Sequence, residues 1–562
     1  MGMLATLLAV LSAALTAASF SLPDYGWLIW FGLAPLMLAL YLSPSPPFSF
    51  LLGTFWSLLW LVPSLMWLRN FGPLAVGLTA LFLCFAYGVF ALFTHHVLRR
   101  FSLPWVIVAV SGFFLTQEYM HELGAWGFPW FKLAYTQANF PLLYQSANIA
   151  GAALLSLLIM VANLILFYLL VRPSQLIAHW RAVILWAGVF GLNLLYGWWH
   201  LSTWEPPPDA RPLTVAAIQG GTSSLRDWAG SFASLSIAQY ANLTDEVLAR
   251  WQEADPIELV VMPETSIPVT IGLPSGARTP PTIALLARRY RTGIIFGAMS
   301  ARHLRELLPL RGGENSPRPP DFFGSEQDLD SWVSITPGRE VTRKDGTRGR
   351  YAISTSLIAL DEEGDLADYH HKVMPVPFGE TVPLGGRMRF LHFPWGSYDL
   401  SAGRKLHPLR VGELRVGGLI CFSSVFPFVS RAEVLGGAEL IALGTNNSWY
   451  LKEDPENPDW VDPIGKVGVL QHANIDRFIA VQTGRYLVRA ATTGVSHIID
   501  PRGVVIESSR IGPAQVVVGR VYRLSDLTFW VRWGNWLYGL AALTALVSLL
   551  YLGITGESEA ML

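Results

Sequence analysis

The sequence predicts a membrane protein in two parts: an α-helical region of eight spans and one globular domain of α/β or α+β type. Three observations carry this. Only 14% of the 562 residues are charged, against roughly a quarter in ordinary soluble chains. Nine of those side chains (Asp24, Arg69, Arg99, Arg100, Glu118, Glu122, Lys132, Arg172, Arg181) serve the first 200 residues, and the other 72 crowd into the remaining 362. Beyond residue 212 the long apolar runs give way to short Val- and Ile-rich segments that alternate with amphipathic ones.

A bilayer core takes about 20 apolar residues per helix. On that measure residues 3–20, 27–43, 48–68, 73–97, 103–118, 145–171 and 180–200 are spans, and 534–554 is an eighth. The first has no Lys or Arg ahead of it and six more follow, so it reads as a retained helix, not a cleaved signal peptide. Arg99 and Arg100 lie between the fourth and fifth spans, Arg172 and Arg181 flank the turn between the sixth and seventh, and the opposite loops hold Arg69 and Lys132. The positive-inside bias puts the four arginines in the cytoplasm. Seven spans then deliver the chain to the outer side.

The membrane domain is residues 1–204, the Pro-rich stretch 205–212 is a linker, and 213–524 form one domain. Within it Leu213–Ile218, Glu258–Met262, Gly293–Ala298, Leu414–Ile420, Glu439–Gly444, Gly494–Ile499 and Ala514–Gly519 read as strands, and Phe232–Trp251 and Thr282–Tyr290 as helices. Residues 302–350 are polar, with Pro and Gly and little periodicity, and predict an inserted surface loop.

Composition also excludes. A formal net charge of −1 argues against a nucleic-acid partner. Two cysteines, Cys84 and Cys421, cannot build a disulfide framework or a Cys-rich metal site. There is no His-Glu-x-x-His, no P-loop and no dinucleotide fingerprint. The pairs His95–His96 and His370–His371 are weak metal candidates, because neighbouring side chains diverge and no third ligand is suggested.

Three segments gather reactive types. Cys421 stands where an apolar strand runs into Phe422-Ser423-Ser424; Pro263-Glu264-Thr265 puts a carboxylate just past another strand; and His371-Lys372 leads through a Pro-stiffened loop to Glu380. Singly, each has a bland explanation: a buried structural Cys or a solvated charge. Together they resemble the nitrilase, or carbon–nitrogen hydrolase, superfamily. With the spans, the resemblance narrows to its membrane-bound branch, the apolipoprotein N-acyltransferase family. Further motifs carry it: Gly127-Phe-Pro-Trp130, Ala134-Tyr-Thr-Gln137, Ala217-Ile-Gln-Gly220 with Trp228, Pro377-Phe-Gly-Glu380, Thr445-Asn-Asn-Ser-Trp449, Gln471-His472, Gly484-Arg485 and Arg489.

The resemblance implies an αββα sandwich for the globular domain and a catalytic triad of Glu264 as base, Lys372 as oxyanion stabiliser and Cys421 as nucleophile. Glu380 and Ser423 support it, Trp228, Trp130, Phe422 and Trp449 contact substrate, and no metal or cofactor takes part. It implies a phospholipid acyl donor, a diacylglyceryl apolipoprotein acceptor, and a bacterial inner membrane with the catalytic domain in the periplasm. Alternatives are a membrane-anchored amidase, an acyltransferase for another amine, or a weakened enzyme serving lipid binding or assembly. Some positions depart from the family: Phe422-Ser423 replace Tyr-Glu, Gln482 replaces Glu, and Thr355 stands for Asn. Ser423 brings a hydroxyl but no charge, so Lys372 is expected to lean on Glu264 and Glu380 alone.

Overall fold

The computed structural model describes residues 1–124, 126–221, 230–252, 255–272, 280–303, 339–342, 348–377, 379–381, 400–452 and 460–560. Among them seven helices are long and apolar enough to cross a membrane: α1 (Gly2–Ser21), α2 (Pro23–Leu42), α3 (Pro46–Phe71, its last turn 3₁₀), α4 (Leu74–Arg100), α6 (Ala153–Val171), α7 (Trp180–Thr203) and, last in the chain, α12, whose apolar part is Trp536–Gly553. The remaining expected span is the 18-residue helix α5 (Leu103–Met120), packed on α12 and roughly 27 Å long. Its final turn carries Thr116, Gln117 and Glu118, so its apolar stretch is shorter than that of the others. The expected sixth span starts late: residues before Ala153 form two separate single-turn helices, ended by Gly151 at φ +63°.

The globular part has two sheets. The first holds β1 (Pro212–Gln219), β2 (Ile257–Val261), β3 (Ile267–Gly272), β4 (Gly293–His303), β5 (Arg339–Thr342), β6 (Arg348–Leu360), β7 (Leu366–His371) and β14 (Gln515–Tyr522), in the order β14-β1-β2-β4-β6-β5, with β3 on β4 and β7 on β6. The second runs β13 (Val505–Ser508), β12 (His497–Ile499), β11 (Leu487–Ala491), β10 (Leu440–Thr445), β9 (Leu414–Ile420), β8 (Leu409–Val411). Strand alternation sends Val215, Leu259, Val261 and Leu357 inward against Val416, Ile420, Ala442 and Val488. Val260, Met262, Ile294 and Ile358 face outward under α8 (Gly230–Trp251) and α9 (Pro281–Tyr290). Leu419, Ile441 and Leu443 face α10 (Pro427–Leu435) and α11 (Pro463–Thr483). This is the αββα sandwich. The expected loop over 302–350 is corrected at its described ends, because Arg302–His303, Arg339–Thr342 and Arg348–Arg350 lie in strands: β5 pairs antiparallel with β6, Arg339 opposite Tyr351.

The two halves share one core. Gln471 on α11 accepts from Trp67 Nε1 at 3.1 Å and Trp130 Nε1 at 2.8 Å, and donates to the carbonyls of Phe20 at 3.1 Å and Ser64 at 3.3 Å. Thus one amide bonds a carbonyl from each of two spans, Phe20 in the last turn of α1 and Ser64 in α3. Arg69 pairs with Asp462 at 2.8 Å beside it.

Candidate active site

Glu264, Lys372 and Cys421 come from three strand ends. Glu264 follows β2, and its neighbour Thr265 adopts a left-handed φ of +57°. This turn lies directly on β4, because a Cβ at Gly297 would stand 2.4 Å from the Pro263 carbonyl oxygen and 2.6 Å from Glu264 Cα. Lys372 follows β7, its N–H donating to Thr355 O at 2.8 Å. Cys421 ends β9 with φ +44° and opens a 3₁₀ turn through Val425. Such a φ is costly for a residue with a Cβ, and held strain of this kind gathers at functional sites.

Lys372 Nζ donates to Glu264 Oε1 at 2.9 Å and to Glu380 Oε1 at 2.7 Å. The second oxygen of Glu264 accepts from Asn446 N–H at 3.2 Å, and that of Glu380 from Val376 N–H at 2.7 Å. Glu264 and Lys372 are 4% and 2% exposed, Cys421 7%. Burial pushes Glu264 above its ordinary value; Lys372 opposes this and Glu380 adds to it. For Lys372 burial acts downward, but the two carboxylates outweigh it and hold the ammonium charged. The Cys421 thiol is pushed up to about 11, first by burial and then by the Glu264 charge, with Lys372 pulling the other way. A thiol so raised is protonated at neutral pH and attacks only if a base takes its proton. Glu264 is near enough for its charge to act on the thiol, and a carboxylate and an ammonium side by side are the groups that could take a thiol proton and offset a developing oxyanion.

Ser423 does not touch the lysine: its Oγ accepts from Met374 N–H at 3.0 Å and donates to Met374 O at 3.1 Å, pinning the loop between Lys372 and Glu380. Phe422 joins Val376, Pro377, Gly379 and Tyr450 in one wall of a cavity of about 240 Å³, whose other wall is Trp67, Phe71, Leu78, Phe82 and Phe128 from the membrane half. Trp130, expected to contact substrate, lies in the core shared by the two halves. It is 2% exposed, and its indole N–H is turned to Gln471, the polar partner that a buried indole needs. Trp449 is partly exposed and stacks on Phe71 at 6.1 Å. Trp228 lies outside the described residues. His370 and His371 diverge, one toward Glu433 at 3.7 Å, the other to Ser356 at 2.6 Å. Asn446, which also donates to Thr265 Oγ1 at 3.1 Å, had no role in the sequence reading, although its Asn-Asn-Ser-Trp motif was visible.

A carbon-nitrogen hydrolase family model matches residues 214–523, more than half of the sequence and all but the first two residues of the sandwich that carries these residues. The chain belongs to that family. A second model, described as the apolipoprotein N-acyltransferase N-terminal domain, matches residues 12–165. Along most of its length the chain is similar to proteins named apolipoprotein N-acyltransferase. It is 28% identical to that of Geobacter metallireducens over 545 residues, covering 94% of this chain and 91% of the relative. With that of Gloeobacter violaceus it shares 28% over 571 residues, covering 97% and 93%. With that of Vibrio parahaemolyticus it shares 25% over 559 residues, covering 96% of each.

Proposed function

We propose that this membrane protein is an acyltransferase that moves a fatty acyl chain from phospholipid to the N-terminal amine of diacylglyceryl-cysteine on apolipoproteins, through a thioester at Cys421. The observation that carries the reading is the apolar cavity: one wall follows directly on Cys421 at Phe422, the other is made of membrane helices. A chain leaving the bilayer can therefore lie in an apolar cleft against Phe422, the residue next to the nucleophile. The names of the relatives agree with this chemistry.

In the first half-reaction Cys421 Sγ adds to the ester carbonyl while its proton passes to Glu264. Lys372 balances the oxyanion, and on collapse the C–O bond breaks and the lysophospholipid alkoxide leaves with the proton from Glu264. In the second, the neutral amine adds to the thioester, Glu264 accepts its proton, and the C–S bond breaks to give the amide while Glu264 returns that proton to the sulfur and regenerates the thiol, a ping-pong cycle. The Arg-rich loops favour a periplasmic catalytic domain on the bacterial inner membrane. Trp449, at the rim beside Phe71, is suited to contact the acceptor.

The test is intact-mass analysis after incubation with phospholipid and no acceptor. One acyl group should be added to the parent and none to Cys421→Ala, and full acylation of that variant would overturn the reading. Mass spectrometry of lipoprotein N-termini in a strain depleted of its own N-acyltransferase then distinguishes amine acylation from plain hydrolysis.

A further inference from the structure

Behind the nucleophile lies a buried polar network that none of these steps uses. His472 on α11 is fully buried, with Nε2 3.0 Å from the Oγ of Ser424, three residues after Cys421 in the same 3₁₀ turn. Its other nitrogen, Nδ1, meets Arg489 Nη2 at 3.2 Å and Asn447 Nδ2 at 3.3 Å. The Asn447 amide is oriented by its own oxygen, which accepts from Arg489 at 2.8 Å. Arg489 is fixed in turn by Asp476 at 2.7 Å, which also takes His497 Nε2 at 2.9 Å.

Both groups facing Nδ1 are donors, and a guanidinium can only donate. Nδ1 therefore accepts, and the ring proton sits on Nε2, aimed at the turn that begins at Cys421. The contact with Ser424 looks like a serine–histidine pair but cannot work as one. With Nε2 already protonated and Nδ1 facing a cation, the imidazole has no free lone pair for the serine proton. Burial, and then the charge of Arg489, hold it neutral.

We infer that His472 is a positioning residue: a neutral imidazole, locked as the Nε2–H tautomer by Arg489 and Asn447, that clamps the Cys421–Ser424 turn and holds Cys421 at its left-handed φ. The inference rests on Cys421 being the nucleophile. The strain at Cys421 is local, so something outside the turn must maintain it, and His472 reaches the turn from a separate helix. Trp130, packed on the imidazole with centroids 5.4 Å apart, braces the ring from the membrane half.

Two substitutions separate the clamp from simple filling of space. His472→Gln keeps an N–H donor near the Nε2 position; His472→Asn keeps an acceptor near Nδ1 and loses that donor. The readouts are single-turnover thioester formation, the KM for phospholipid, and the rate of Cys421 alkylation by iodoacetamide located by peptide mass spectrometry. His472→Asn should slow thioester formation about tenfold or more, the effect of one lost hydrogen bond at the reacting turn, and change the alkylation rate with KM unmoved; His472→Gln should recover most of it. Equal losses, or a larger loss in Gln, would overturn the clamp. If neither variant accumulates, Ser424→Ala removes the acceptor while sparing the Arg489 shell; it should slow thioester formation, and an unchanged rate overturns the inference. Cys421→Ala, run alongside, keeps the two readings apart: if it still transfers acyl groups the nucleophile assignment fails, and if it is inactive while Gln and Asn behave alike only the clamp fails.

Discussion

Glu380 holds Lys372 with one carboxylate oxygen and the loop between them with the other: Oε1 accepts from Nζ and Oε2 from the Val376 N–H, each at 2.7 Å. Replacing the carboxylate by an amide removes a charge from the lysine while leaving an oxygen for the loop. Glu380→Gln is expected to slow single-turnover thioester formation by at least about 10²-fold, as for a lost charge-stabilising group. Glu380→Ala should cost more, because the loop is freed too. Ser423→Glu should not rescue Glu380→Gln, since that position faces the Met374 carbonyl, which repels a carboxylate. Rates of both single variants and the double test this, and recovery in the double would show that position 423 reaches Lys372.

The raised Glu264 fixes the pH dependence. Glu264 must be ionised to take the thiol proton, so thioester formation should rise with pH through the Glu264 pKa and fall as pH drops below it, with the midpoint above the usual carboxylate range. Glu380 is one cause of the elevation, so Glu380→Gln should move this acid limb to lower pH. A pH profile of the single-turnover rate checks both, and a limb moving upward would contradict the charge argument.

Gly297→Ala is expected to inactivate without unfolding. The new methyl would meet the Pro263 carbonyl and the Glu264 backbone, both rigid, and the turn would have to move off β4. Overpacking of this kind costs about 1–3 kcal/mol, while a base displaced by about 1 Å can lose 10²-fold in rate. Thermal inactivation and acyl transfer measured on one sample separate the two effects.

Gln471→Leu should weaken the union of the two halves. Two indole N–H groups and the carbonyls of Phe20 and Ser64 lose their partner in a buried place, at about 1–3 kcal/mol for each group left unsatisfied. A lower thermal inactivation temperature in detergent, with Lys372, Glu264 and Cys421 unaltered, is the expected outcome; an unchanged temperature would mean that water replaces the amide.

Glu264 and Cys421 could be picked out in the sequence because each follows an apolar strand, and Lys372 because a Pro-stiffened loop carries its segment on to Glu380. The strand that Lys372 follows, β7, is the mixed run Leu-Ala-Asp-Tyr-His-His. The contact of Asn446 with Glu264 was not legible, since it depends on β10 lying beside the β2 turn, 182 residues away in sequence. The hydrogen bond from Trp130 to Gln471 was hidden for a similar reason, since the two lie 341 residues apart. The start of β6 was hidden because Arg348 and Arg350 lie where the strand pairs with only the short β5, and nothing apolar marks them. The spans read easily, because scarcity of charge is a signal that needs no partner.

The Gln471 amide carries a consequence for biosynthesis. Ser64 is made 407 residues before the side chain that caps it, and at about 5–20 residues per second the ribosome needs roughly 20–80 s to close that gap. Throughout that interval the carbonyls of Phe20 and Ser64 are without the side chain that bonds them in the folded protein, and only the synthesis of α11 supplies it. Assembly is therefore ordered in time: the membrane half must wait, partly finished, for the enzyme half to arrive and complete it.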